Sequence, residues 1–266
     1  MKFSNKDISH KKSKSLEYLM FNHFSKTNLV KHCFTTRLGG VSTGEFESLN
    51  LKYGIGDNDN SIINNYKIIC DELEIDFENV VNCNQIHSDI VEVLYEKPKS
   101  LHDVDAFITN VPNIAIVTNY ADCVPLLFLD PIKKVIGNSH AGWKGTLKKI
   151  GQKTVQKMVD EFFCQPKDIL VGIGPSIGQC CFETSKDVFN EFKENFNNID
   201  VYCLKKYNKY YIDLWEINKI QLKELGILEE NIVVSRICTS CQSDYFFSYR
   251  TFNGKTGRMG SIIELI

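Results

Sequence analysis

The sequence predicts a mixed α/β fold in which β-sheets are flanked by helices, arranged as one layered domain over residues 1–266. Three observations carry that prediction. Four short, largely apolar strands crowd the stretch 105–139, helices with one-sided apolar faces lie on either side of it, and strand and helix do not alternate strictly. Strict alternation would instead mark a doubly wound parallel sheet. A chain of 266 residues fits one large domain or two small ones. No repeat, composition shift or low-complexity linker marks a boundary between two.

In chain order, the first thirty residues show no clear period and stay unassigned. Residues 31–36 read as a strand running into a turn at Arg37-Leu38-Gly39-Gly40. Residues 61–73 read as a helix, because Ile62, Ile63, Tyr66, Ile69 and Cys70 share one broad face. Strands are expected at 105–109, 114–119, 125–130 and 134–139. The third is nearly all apolar, from Val124 to Leu129, as suits a strand covered on both faces. One long helix is expected from about Trp143 to Phe163. Leu147, Ile150, Val155, Met158, Val159 and Phe162 form its inner face, with its lysines outward. Beyond Pro166 come a strand at 169–173, helices near 184–196 and 215–225, a strand at 231–236, and the aromatic run Tyr245-Phe246-Phe247-Ser248-Tyr249-Arg250.

Composition narrows the function classes. With 31 basic and 33 acidic residues, net charge −2, the chain lacks the electrostatic footprint of a nucleic-acid binder. The run Lys11-Lys12-Ser13-Lys14 reads as a solvated charge run. The start of the chain lacks the apolar core of a signal peptide, and no apolar run is long enough to span a bilayer. A soluble, cytoplasmic protein is therefore expected, a monomer or small homo-oligomer. Its ten cysteines are read first as buried thiols, then as metal or catalytic residues, and last as disulfides.

The chemistry-bearing residues are His87, Cys123 and His140. Each alone has a bland reading, a satisfied histidine or a small buried hydrophobe. Together, two imidazoles and a thiolate make an open zinc site whose fourth position takes water or substrate. If the strands before and after residue 131 pair as a hairpin, Cys123 at the start of one lies beside His140 at the end of the other. The segment Ala141-Gly142-Trp143-Lys144-Gly145 could then dock an anion at a helix start, helped by Lys144. Its two glycines serve tight strand-to-helix packing equally well.

These residues stand in seven blocks that resemble the YfiH or laccase-domain family, also described as purine nucleoside phosphorylases and as multicopper polyphenol oxidase-like proteins. The blocks are Thr36-Arg37-Leu38-Gly39-Gly40-Val41-Ser42 with Ser48-Leu49-Asn50-Leu51, Gln85-Ile86-His87, and Asp105-Ala106. They continue with Ala121-Asp122-Cys123-Val124-Pro125, His140-Ala141-Gly142-Trp143, and Ile173-Gly174-Pro175-Ser176-Ile177-Gly178 with Cys180-Cys181. The last holds Phe246-Phe247-Ser248-Tyr249-Arg250 and Thr256-Gly257-Arg258-Met259. The resemblance implies that His87, Cys123 and His140 are both metal ligands and catalytic residues, with zinc as the metal and copper as a second candidate. It implies phosphorolysis of adenosine, inosine and methylthioadenosine to free base and ribose 1-phosphate, with adenosine deamination as a further activity. The partners are then a purine nucleoside and phosphate, with neither nucleic acid nor membrane. Two departures stand out: Lys144 replaces a common Arg, losing the planar fork, and Phe182 replaces a usual Tyr.

Candidate substrate contacts are Arg37, Asn50, Lys144, Phe247 and Arg250, with Phe247 offered as a purine-stacking ring although an aromatic run beside a strand is more often core. Asp122, next to a ligand, is a weak candidate for a general acid and reads as well as a turn residue. Three other readings compete. A true laccase needs a further copper cluster, and only His10, His23, His32 and His102 remain, scattered. A metal-free hydrolase with Cys123 as nucleophile and His140 as base, acting on a peptidoglycan precursor, needs no His87. A zinc knot of Cys238 and Cys241 with Cys180-Cys181 is disfavoured, because adjacent cysteines make awkward ligands.

Overall fold

The computed structural model describes every residue except Met1, Leu101 and Asn197. The chain starts with strands β1 (Ile8–Ser13) and β2 (Leu16–Phe21), helix α1 (Asn22–Ser25) and β3 (Val30–Thr35). It continues with α2 (Asp59–Leu73), β4 (Val80–Asn82), β5 (Val91–Val93), β6 (Ala106–Thr109), β7 (Ala115–Tyr120), β8 (Val124–Asp130) and β9 (Val135–Ala141). Then come α3 (Trp143–Leu147), α4 (Ile150–Phe162), β10 (Leu170–Ile173), β11 (Glu183–Thr184) and α5 (Lys186–Asn195). Last are β12 (Cys203–Lys206), β13 (Lys209–Ile212), α6 (Leu214–Glu224), β14 (Ile232–Val234) and β15 (Met259–Leu265).

Two six-stranded sheets form the centre, ordered β1-β2-β3-β15-β7-β4 and β14-β10-β8-β9-β6-β5, with a small third sheet β11-β13-β12 beside them. Pairing is mostly antiparallel, with parallel edges at β4–β7, β5–β6 and β10–β14. The fold is thus mixed α+β with helices outside, as the sequence predicts.

Strand side chains alternate between faces, and the buried clusters follow that period. Phe34, Ile116 and Ile263 of the first sheet meet Phe107, Leu127, Leu129 and Ile136 of the second in one core. The opposite faces pack against helices: Cys33, Val117 and Ile262 on Ile62, Tyr66 and Ile69 of α2, and Leu126, Phe128 and Val171 on Ile150, Val155 and Leu222 of α4 and α6. Between the sheets runs a buried polar seam. Asn138 of β9 donates to the carbonyls of Ile116 and Ser261 at 3.3 and 2.9 Å and accepts from Thr118 Oγ1 at 2.8 Å. Tyr120 donates to the Ser139 carbonyl at 2.9 Å.

One expectation needs correction, and two points left open are filled. The unassigned N-terminus is an antiparallel hairpin paired from Ile8↔Phe21 to Ser13↔Leu16, which extends the first sheet; polar residues on both its faces hide the alternation. The four strands expected in succession are present, with β7 in the first sheet and β6, β8 and β9 in the second. The long helix is broken, with Lys149 in the left-handed region at φ 60°. The break is tied from outside, because Asn218 and Gln221 of α6 donate to the Thr146 hydroxyl and carbonyl at 3.0 and 2.9 Å. In an unbroken helix that carbonyl would accept from Ile150. Among the described residues, no helix is long and apolar enough to cross a membrane.

Candidate metal centre and its cavity

Strand register brings the first two ligand candidates together. β8 and β9 form the expected hairpin, with Pro125 opposite His140 and Val124 opposite Ala141. Cys123 lies in the short crossing from β7 to β8, where the chain passes from one sheet to the other, and so sits next to His140. His87 arrives on the loop between β4 and β5, held at φ 57°, a conformation sparsely populated for non-glycine residues and frequent at functional sites.

The three donor atoms lie within 4.8 Å of one another. His87 Nε2 is 3.9 Å from Cys123 Sγ, and the two imidazole rings meet edge to face with centroids 4.9 Å apart. Room for them depends on Gly142, where a Cβ would stand 3.1 Å from both Cys123 Sγ and His87 Cδ2. A thiol and two imidazoles at this spacing are a donor set suited to a borderline-soft cation.

Asp105, a residue that spacing does not single out, organises the group. It is fully buried. Its carboxylate accepts from the backbone N–H groups of Ile86, His87 and Ser88 at 3.2, 3.1 and 2.6 Å and from Ser88 Oγ at 2.7 Å. It also meets His140 Nδ1 at 2.8 Å, which leaves His140 Nε2 as the outward donor. One carboxylate therefore fixes both the His87 loop and the His140 ring. Burial pushes Asp105 up, but the hydrogen bond and charge of His140, with the Ser88 donors, hold it at about 2. Burial likewise pushes the Cys123 thiol up, yet the charge and hydrogen bonds of His140 and His87 carry it below its ordinary value. His140 moves upward against its own burial, held by Cys123 and Asp105. The site favours a thiolate, the form that binds metal or attacks carbon.

The three residues open into a cavity of about 490 Å³, ample for a nucleoside-sized ligand. Of the candidate contacts, only Arg250 lines it, and its guanidinium already donates to the Cys181 and Glu183 carbonyls at 2.6 and 2.9 Å. Arg37 lies outside the lining, stacked on Phe247 and Phe252 and bonded to the Glu47 and Ser243 carbonyls. Lys144 points over Trp143 at the surface, and its helix α3 spans only five residues, too short for the expected anion site. Phe247 is fully buried and belongs to the core between the sheets, so it offers no face to a purine.

Asn50 is buried too, and acts by positioning. Its Oδ1 accepts from the backbone N–H groups of Lys52 and Arg258 at 3.1 and 2.9 Å. Those two cations line the cavity, as does the exposed ring of Tyr249. Burial lowers both Lys52 and Arg258 from their ordinary values, so each presents a poorly hydrated donor. Lys52 follows Leu51 in the loop sequence with no pattern that marks it. Asp122 has its oxygens occupied by Thr239 Oγ1, Ser248 Oγ and the Arg250 N–H at 2.6, 3.0 and 2.7 Å; it ties loops together. Contrary to the sequence argument, the thiols of Cys180, Cys181, Cys238 and Cys241 also come within 4.8 Å of one another.

With the fold and site described, kinship can be placed. Residues 31–266 match the family described as multi-copper polyphenol oxidoreductase laccase, and the chain belongs to that family. A purine nucleoside phosphorylase named YlmD from Bacillus subtilis is 34% identical over 261 residues, covering 93% of this chain and 94% of the relative. An adenosine deaminase named RL5 from an unknown prokaryotic organism is 30% identical over 247 residues, covering 88% and 94%. The crystal structure of the hypothetical protein YfiH from Bacillus licheniformis superposes with a TM-score of 0.89 at 33% identity, over 97% of this chain and 99% of that one.

Proposed function

We propose that the protein is a zinc-dependent purine nucleoside phosphorylase of the cytoplasm, acting as a single domain. It would convert adenosine, inosine or methylthioadenosine with phosphate into free base and ribose 1-phosphate. The observation that carries this reading is the meeting of His87, Cys123 and His140 in a cavity walled by Lys52, Arg250, Arg258 and an exposed Tyr249. Kinship with proteins named as phosphorylases supports it.

His87, Cys123 and His140 would hold the zinc, with copper as the other metal that this donor set accepts. When bound, zinc supplies Lewis acidity and keeps a coordination position for substrate or water. Lys52 and Arg258 would meet the phosphate, and partial burial strengthens their attraction for it. Tyr249 offers its ring to the purine. In phosphorolysis a phosphate oxygen bonds to the sugar's anomeric carbon as the carbon–nitrogen bond to the base breaks. The electron pair leaves with the base, which takes up a proton. Arranging phosphate on the cationic wall opposite the purine is the chain's part in that exchange.

Adenosine deamination is a second activity, motivated by the relative named as an adenosine deaminase. The order Cys123, His140, Asp105 also resembles a cysteine hydrolase, yet such an arrangement does not account for His87 or for the space that Gly142 leaves beside it. The test is chromatographic analysis of products after zinc-loaded protein is incubated with adenosine and phosphate. Adenine with ribose 1-phosphate is the expected result. Inosine alone would make deamination the main activity, and intact adenosine would refute the purine reading and turn attention to peptidoglycan precursors.

A further inference from the structure

The second thiol cluster lies outside the cavity and is used by none of the chemistry above. Cys180 and Cys181 stand on the loop between β10 and β11, and Cys238 and Cys241 on the loop after β14. Cys241 Sγ lies 3.5 Å from Cys180 Sγ and 3.3 Å from Cys181 Sγ. All four sulfurs fall within 4.8 Å of one another. A tetrahedral zinc with bonds of about 2.3 Å sets its sulfurs about 3.8 Å apart, inside the range seen here. A disulfide would join one pair at about 2.05 Å and would give no reason for four thiols to share one centre.

We propose that Cys180, Cys181, Cys238 and Cys241 form a tetrathiolate site for zinc, separate from the His87, Cys123 and His140 centre.

A further feature fits a bound cation. The Gly178 N–H donates to Cys238 Sγ at 3.3 Å, the kind of amide contact that stabilises a thiolate. Crowded thiols resist ionising together, and a cation among them removes that penalty.

The clip would have a structural effect. It fastens the loop bearing Phe182 to the loop bearing Tyr249 and Arg250, and all three line the cavity. Arg250 is bonded to the Cys181 carbonyl itself. Gly178, packed 3.3 Å from Cys180 Sγ at its missing Cβ, leaves room for the sulfurs.

The full-length chain, purified with reductant, stripped with a chelator and reloaded with zinc, is assayed for zinc per chain by mass spectrometry. Wild type should hold two, a Cys180→Ser, Cys241→Ser variant one, and a Cys123→Ala variant one. Both serine positions are exposed, and circular dichroism checks that the variant folds. Should it not fold, cobalt added to the Cys123→Ala protein gives a second reading. The intense visible bands and sulfur-to-cobalt charge transfer of a tetrathiolate are then expected. A single zinc in wild type, two in the serine variant, or cobalt-loaded Cys123→Ala protein without those bands would overturn the proposal. None of these readings depends on turnover of a nucleoside.

Discussion

At the scale of single residues, Asp105 is the group on which most depends. It gathers five donors from the His87 loop and His140, so Asp105→Asn should lower zinc affinity by about 10–100-fold, read by competition with a chromophoric chelator. Its folded value of about 2 lies below the ordinary value of 3.8. The stability it contributes is therefore present above the ordinary value and lost as pH falls toward 2. Thermal unfolding against pH should show the gap between wild type and Asp105→Asn closing over that interval; a constant gap would contradict the assignment. Phe247 makes a complementary case. It fills the core, so Phe247→Ala should cost about 3–5 kcal/mol in denaturant unfolding, whatever its effect on catalysis. The candidate ligands His87, Cys123 and His140 were legible from their donor chemistry and the blocks they stand in. Asp105 stood in a block too, but its role was not legible, since a carboxylate at the start of an apolar strand resembles any strand-end residue until its donors are located.

At the scale of elements, hydrophobic period located β3, β6 to β10 and β14 and the helices α2 and α4 to α6, but missed the strands β4, β5, β11, β12, β13 and β15. What period cannot register is a break that leaves the apolar face intact. Ile150, Val155 and Met158 keep helical spacing through α4, so α3 and α4 read as one helix. The break is enforced by partners remote in sequence, Asn218 and Gln221. Gln221→Ala should remove one of two hydrogen bonds at the Thr146 carbonyl, which keeps the Lys149 N–H at 3.1 Å, and destabilise the protein by about 0.5–1.5 kcal/mol, measured as a lower denaturant midpoint with an unchanged slope. The β1–β2 hairpin was hidden for another reason. Its core-side positions include His10, Lys12 and Glu17 beside Ile8, Leu19 and Phe21, and His10 and Glu17 are buried against each other at 3.0 Å, so polarity does not mark the outer face.

Over the whole molecule, hairpin register alone brought Cys123 to His140, but which strands share a sheet depended on long-range pairing. β15, the last strand described, pairs with β3 and β7 and so joins the two halves of the first sheet. The seam centred on Asn138 then joins that sheet to the second. Asn138→Leu would remove its two hydrogen bonds to the carbonyls of Ile116 and Ser261, and a loss of about 1–3 kcal/mol is expected for the two together. Calorimetry should show the lower transition temperature.

That seam has a consequence for the metal centre. Cys123 hangs from the bridge between the two layers, and His140 stands two residues beyond Asn138 on the same strand. The triangle of His87, Cys123 and His140 thus works as a caliper across the sandwich, should it hold the metal proposed. Pressure, temperature or a distant core substitution that changes the gap between layers would change the bite of the three ligands. Metal affinity at the proposed site should accordingly report on the packing of the core between the sheets, against which Cys123 rests.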